Sequence, residues 1–548
     1  MCAQSPARNR RHILTWGLLG LASLAGVLYW CRLGIPVAVA PAPSGRMACV
    51  SYSPFHEAGA SPLHPGAFVT PARIERDLAR LSKRFECVRT YSQSNGLDAV
   101  PNIARQYGMK VLLGIWLSAD RVQNLHEVQL GIRTALSHPH TVRAIVVGNE
   151  VLLRGDLTAR QLVAYIRHVR QATHMPVTYA DVWEYWLRYA HSAGLAHAVS
   201  FVTVHILPYW EDEPVSIEHA IGHVNRIYAR VRRAFPGKTV LIGETGWPSA
   251  GKPRRGSVPG LVNEARYIRS FLDDAQARHI PYNLIESFDQ PWKRGQEGTV
   301  GGHWGLYNSR GEPKFALTGK VVEMRRWWLG LLAMGGCALL FSALTAGSPR
   351  RRLAGGLAGA ASGAALAAAT RQMLQALTTP WAWSMGVLTC AAALLTALAC
   401  IRPIARWLDA QPLELRKPDT FPARVFAFFR SPHMHLAWLV AASWVDLLLV
   451  FDGRYRDYPD AALLVPAGAL ALWLLVVKPE QASIRVEYRF LACWMILAAL
   501  FLLAWARAAN LAVWSWFLCN GLLTAPVIVT WLRCRFMLQP HQAQAANE

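Results

Sequence analysis

Two glutamates stand where short apolar runs end. Glu150 closes the run Ala144-Ile-Val-Val-Gly-Asn-Glu, and Glu244 closes Val240-Leu-Ile-Gly-Glu. A charged residue at the tip of a buried strand is costly unless it does chemistry or has a partner. Two carboxyls on either side of one glycosidic bond can do such chemistry, as one protonates the leaving oxygen while the other attacks carbon or activates water. The plainer alternative is that each glutamate forms an ion pair, with Arg89 or Lys293.

Either reading needs a scaffold that brings the two strand ends together. Between residues 46 and 320 eight β-rich runs alternate with helix-like segments, beginning with Ala48-Cys-Val-Ser-Tyr52 and Cys87-Val-Arg-Thr-Tyr91. The segment from Thr158 has a capping Thr and apolar spacing of three and four, which predicts a helix. Eight such units in this length predict an α/β fold, a (β/α)8 TIM barrel, whose reacting groups sit at the strand ends. A doubly wound open sheet is the alternative, but no Gly-rich phosphate fingerprint follows the first strand. Trp116, Trp183, Trp210, Trp247, Trp292 and Trp304 lie near strand ends; such rings either stack on sugar faces or fill the core. Asp181 and His205 end strands five and six as rim contacts to substrate, or as ordinary hydrogen-bonded groups. Glu286 and Lys293 are expected to pair. Cys49 and Cys87 are expected to be buried thiols, a disulfide between them being awkward.

The chain has 548 residues, 53% hydrophobic and 17% charged, with 57 Lys plus Arg against 34 Asp plus Glu. That balance excludes a disordered chain and is too apolar for an ordinary soluble enzyme. The basic residues cluster beside apolar runs, as at a membrane face, so no nucleic acid partner is expected. Ten scattered cysteines make no zinc spacing, and no metal or cofactor is expected. Residues 13–31 read as an uncleaved anchor behind a basic tail, 1–12, with a linker at 32–45. From 321 to 548 an all-α multi-span transmembrane bundle is predicted, with spans at 327–346, 353–370, 381–401, 436–451, 461–477, 490–506 and 511–532, each near the ~20 residues a bilayer requires. Basic loops alternate with a nearly neutral one, which places both termini in the cytoplasm and segment 46–320 outside it, periplasmic in a cell with two membranes. Asp446, inside one span, is either functional or paired with Arg454 or Arg456.

Val147-Gly-Asn-Glu-Val151 and Leu241-Ile-Gly-Glu-Thr-Gly-Trp-Pro-Ser249 resemble the acid/base and nucleophile segments of glycoside hydrolase family 17, the β-1,3-glucanases and their glucanosyltransferase relatives. Further stretches resemble its microbial branch: Val88-Arg-Thr-Tyr-Ser, Thr178-Tyr-Ala-Asp-Val-Trp, Val204-His-Ile-Leu-Pro-Tyr209-Trp, Phe288-Asp289-Gln-Pro-Trp-Lys293 and His303-Trp-Gly-Leu-Tyr. The resemblance implies a retaining mechanism with Glu150 as acid/base and Glu244 as nucleophile. Glu244 would then raise the pKa of Glu150 by like-charge repulsion. Asn149 would contact the sugar 2-hydroxyl. Tyr91 would steady Glu244 or the ring oxygen, unless it is a core residue. Tyr52, Asp181, Trp183, His205, Tyr209, Trp247, Asp289, Trp292, Lys293 and Trp304 complete the expected substrate contacts.

These features together predict a membrane-bound β-glucanosyltransferase or β-1,3-glucanase. Its expected partners are β-glucan, membrane lipid and a glucan synthase in the same membrane. The competing expectation is a glucan export or sensing protein that uses the barrel as a binding module.

Overall fold

The computed structural model describes residues 6–190, 194–410, 419–506 and 510–545. The first five residues of the predicted tail and positions 411–418 in a predicted basic loop lie outside the described residues. The chain divides into two compact units, one of residues 36–321 and one combining 1–35 with 322–548.

The first unit is a closed barrel of eight parallel strands: β1 (Met47–Ser51), β2 (Phe85–Arg89), β3 (Lys110–Ile115), β4 (Val142–Asn149), β5 (Val177–Val182), β6 (Val202–His205), β7 (Val240–Thr245) and β8 (Tyr282–Leu284). Neighbours in sequence pair in order, and β1 closes on β8 through Cys49 opposite Asn283. The strands are β-branched-rich because both faces are covered, by barrel interior and by helices. The helix Ala159–Thr173 starts with a capping box, in which Thr158 accepts from the Gln161 amide and the Gln161 side chain accepts from the Thr158 amide. Where the chain enters and leaves the barrel, the buried Arg269 guanidinium donates to the carbonyls of Val39, Thr318 and Gly319 at 2.8–3.0 Å. One side chain thereby ties the incoming and outgoing segments of the barrel together.

Cys49 and Cys87 correct the expectation of free thiols: they form a disulfide. They occupy directly opposed positions of β1 and β2, with Cα atoms 4.3 Å apart. Register, which spacing in the sequence does not carry, brings the two sulfurs together.

Among the described residues of the second unit, seven helices are long and apolar enough to cross a membrane: Asn9–Leu33, Pro349–Ala376, Pro380–Leu408, Pro432–Phe451, Asp460–Val477, Val486–Ala506 and Leu511–Arg535. The eighth predicted span is the shorter helix Trp328–Leu344. It packs on Pro349–Ala376 through Gly355, Gly359 and Gly363. A Cβ on Gly359 would stand 2.3 Å from the Cys337 carbonyl, and one on Gly363 2.5 Å from that of Ala333. The glycines let the two backbones touch, because without side chains nothing holds the helices apart. Asp446 is fully buried and does not pair with Arg454 or Arg456. Its carboxylate accepts from Trp516 Nε1 at 2.8 Å and Asn520 Nδ2 at 3.3 Å, while Arg456 pairs with Asp452.

Candidate active site

The ends of β2, β4, β6 and β7 converge on one cluster. Glu150 directly follows β4 and takes a left-handed backbone, φ 53° and ψ 31°. For a residue with a Cβ this conformation costs on the order of 1 kcal/mol. The chain holds it there because the Glu150 amide donates to the Ala180 carbonyl at 2.8 Å. The turn leaves the side chain about one-quarter exposed, whereas Glu244, within β7, is almost wholly buried.

His205, at the end of β6, lies between them. Its Nδ1 is 3.0 Å from Glu150 Oε1, and its Nε2 is 3.4 Å from Arg89 Nη1. An ionised carboxylate can only accept, so Nδ1–H donates to Glu150; Nε2 also lies 3.6 Å from Glu244 Oε1. Arg89, at the end of β2, donates to the Gly243 carbonyl at 2.8 Å and to Glu244 Oε1 at 3.1 Å, and its other nitrogen binds Asn149 Oδ1. The Tyr91 hydroxyl donates to the same Glu244 oxygen at 2.8 Å and lies 2.9 Å from Ser51 Oγ. Its ring packs against the Arg89 guanidinium, 4.7 Å away. One oxygen each from Glu150 and Glu244, with a His205 nitrogen, all lie within 4.8 Å of one another.

The expected upward shift of Glu150 is corrected. Burial pushes its pKa up, but the His205 hydrogen bond and charge, then Arg154 and Arg89, outweigh it and leave the carboxyl below the usual value. His205, Arg154 and Arg89, whose approach linear spacing did not reveal, outweigh burial, and the expected Glu244 repulsion does not set the shift. Tyr91 moves the other way: burial first, then the Glu244 charge, holds its pKa well above that of a free tyrosine. Asp181 is buried close to Glu150. Burial and the Glu150 charge raise it to about 6, against the Tyr179 hydrogen bond.

The other expected residues separate into two groups. Trp183 and Trp292 are half-buried, with Trp292 Nε1 donating to Gln290 at 2.8 Å. Lys293 Nζ sits 3.0 Å from both oxygens of Glu286. Burial opposes its charge, yet Glu286 and Glu297 hold its pKa above the usual lysine value. Tyr52, Tyr209, Trp247, Asp289 and Trp304, by contrast, are buried. The Tyr52 hydroxyl donates to Asp77 at 3.0 Å, and Trp247 Nε1 donates to the Val258 carbonyl at 3.1 Å. Asp289 accepts from Lys314 and from the Gly305 amide at 2.9 and 3.0 Å. These side chains shape the rim from within.

Sequence reasoning gave Arg89 only the part of an ion-pair partner, yet it touches both glutamate-bearing strands. The signal that could have marked it was the same as for the glutamates: a charge at a strand tip. Arg154 was missed altogether. It donates to the carbonyls of Asn149 and Leu117 and lies 4.5 Å from the centre of the Trp116 ring. It ends a four-residue helix with no distinctive pattern, so nothing in the linear sequence marked it.

Residues 49–305 match the family model described as the BtgE/BtgC glycoside hydrolase domain. Among curated proteins, a glucan 1,3-beta-glucosidase of Arthroderma benhamiae is 26% identical over 265 residues, 46% of this chain and 85% of that protein. One of Saccharomyces cerevisiae is 26% identical over 272 residues, 46% of this chain and 87% of that protein. The probable beta-glucosidase btgE of Aspergillus fumigatus is 27% identical over 272 residues, and there the match spans 48% of this chain and 46% of that protein. The solved β-1,3-glucanosyltransferase of Rhizomucor miehei, as an active-site mutant with laminaritriose, is 26% identical. It aligns with 51% of this chain and 98% of its own, at a TM-score of 0.43.

Proposed function

From a barrel that belongs to a glycoside hydrolase family 17-like family, we propose that the chain is a membrane-held retaining β-glucanosyltransferase acting on β-1,3-glucan. The observation that carries the reading is the approach of the Glu150 and Glu244 oxygens to within 4.8 Å. Retaining enzymes keep the two carboxyl groups ~5–5.5 Å apart, whereas inverting ones leave ~6.5–9.5 Å for a water.

Glu244, oriented by Tyr91 and Arg89, attacks the anomeric carbon. The glycosidic C–O bond breaks as Glu150 passes its proton to the leaving oxygen. Glu150 then takes a proton from the incoming hydroxyl, which attacks the same carbon and releases Glu244. That hydroxyl belongs to a second glucan or to water, the only point where transfer and hydrolysis diverge. Half-buried Trp183 and Trp292 offer stacking faces, and Asn149, held by Arg89, offers an amide to the sugar.

Seven apolar helices and the alternating loop charges support a chain fixed in the inner membrane with the barrel on the extracytoplasmic side. Lipid is a partner there, and a glucan synthase in the same membrane would supply the substrate. A degrading enzyme gains little from such an anchor, whereas one that remodels glucan as it emerges gains proximity. The test is product analysis with a β-1,3-glucan oligosaccharide: products longer than the substrate are expected at high acceptor concentration. Only shorter products would leave a hydrolase.

The His205 contact makes a pH prediction. His205→Ala removes the hydrogen bond that holds Glu150 low, so the pKa of the free enzyme's acid rises. Protonated Glu150 then persists to higher pH, and the alkaline limb of kcat/KM should move to higher pH. An alkaline limb that stays in place or moves to lower pH would remove His205 from this role.

A further inference from the structure

Away from the glutamate cluster, a cavity of about 670 Å3 opens beside the helix Pro71–Leu81. None of its lining residues belongs to the catalytic cluster. Arg73, Arg76 and Arg80 recur on one side of that helix, while Ile74, Asp77, Leu78 and Leu81 face the core. Arg310, from the loop after β8, adds a fourth guanidinium to the wall.

The cavity also holds two carboxylates, and both are already engaged. Glu57 pairs with Arg73 at 2.9 Å. Asp77 is buried and accepts from the Tyr52 hydroxyl at 3.0 Å, with His56 Nε2 3.1 Å away. Among the described residues neither Arg76 nor Arg80 has a carboxylate within ion-pair distance. Arg310 reaches only the exposed Glu312, at 3.5 Å. Arg73 keeps its Nε and Nη2 buried without a hydrogen-bond partner. Like charges four residues apart, such as Arg76 and Arg80, work against a helix, and buried guanidinium nitrogens left unbonded are costly.

We propose that this cavity binds an organic phosphate. Guanidinium forks match the paired oxygens of a phosphoryl group, and several around one group neutralise a dianion. The volume exceeds what an inorganic ion would fill and falls in the range of small-molecule sites, so the phosphate carries an organic substituent. A soluble phosphate ester and an anionic lipid headgroup share this chemistry. The inference stands apart from the catalytic reading, because no residue is common to both.

The test is calorimetric titration of the full-length protein in detergent at constant ionic strength. Glycerol 3-phosphate is compared with glycerol, and dihexanoyl-phosphatidylglycerol with dihexanoyl-phosphatidylcholine. Saturable binding of at least one phosphate ligand, absent for its control, is expected. R76A/R80A should weaken it by roughly tenfold or more, and R76K/R80K, which keeps charge but loses the fork, should fall between. Both arginines are exposed, so β-glucan turnover by the variants should match the wild type and report an intact fold. Binding of the soluble ester alone identifies a free metabolite, and binding of the lipid alone a headgroup; either supports the site. No saturable binding to the wild type, or unchanged affinity in R76A/R80A, overturns it.

Discussion

Glu244→Gln is expected to reduce turnover of β-1,3-glucan by about 10^4-fold or more, some 5.5 kcal/mol of transition-state stabilisation. The amide preserves the shape of the carboxyl and can still accept from Tyr91, but it is not a nucleophile. Arg89 loses its buried charge partner, although it still donates to the Gly243 carbonyl and to Asn149. A lower melting temperature with unchanged circular dichroism is therefore expected alongside the kinetic loss. Residual activity above about a hundredth of the wild type would contradict the nucleophile assignment. Trapping the wild type with a 2-fluoro-glucoside, followed by peptide mapping, should place the label on Glu244.

Glu150→Ala should behave differently. Loss of general acid catalysis is worth about 10^2–10^4-fold, and it should fall most heavily on glucan, whose sugar leaving group needs a proton. An aryl glucoside with a good leaving group needs none for the first step, so a glycosyl-enzyme should accumulate in an initial burst. Added azide, which requires no general base, should then restore turnover and yield the β-glucosyl azide. An α-configured product would mean inversion at the anomeric carbon, and the short separation of the carboxyls would have to be given another meaning.

Much of this architecture is legible in one dimension. Alternating β-rich and helix-like segments betray a barrel because each strand must be apolar on both faces, and the long apolar helices announce themselves because hydropathy is a local property. Glu150 and Glu244 stand out for the same reason: a carboxyl at the end of a buried run is conspicuous. What stays hidden in the sequence depends on contacts between strands. The Cys49–Cys87 bond follows from register in a closed sheet. The downward shift of Glu150 follows from His205, 55 residues away, and from Arg154 and Arg89. Trp247 and Tyr209 could not be told from exposed sugar platforms, because an aromatic at a strand end has the same sequence signature whether its ring turns outward or inward.

The amino-acid sequence by itself determined which segments are strands, which helices are apolar enough for a membrane, and which two carboxyls end strands of the barrel. Each is a property of a residue and its near neighbours. Only the tertiary structure decided that those carboxyls approach within 4.8 Å, that Arg89 and His205 connect them, and that four arginines line a cavity elsewhere. Distance and electrostatic environment arise when remote segments close on one another, and the local pattern of a chain carries neither.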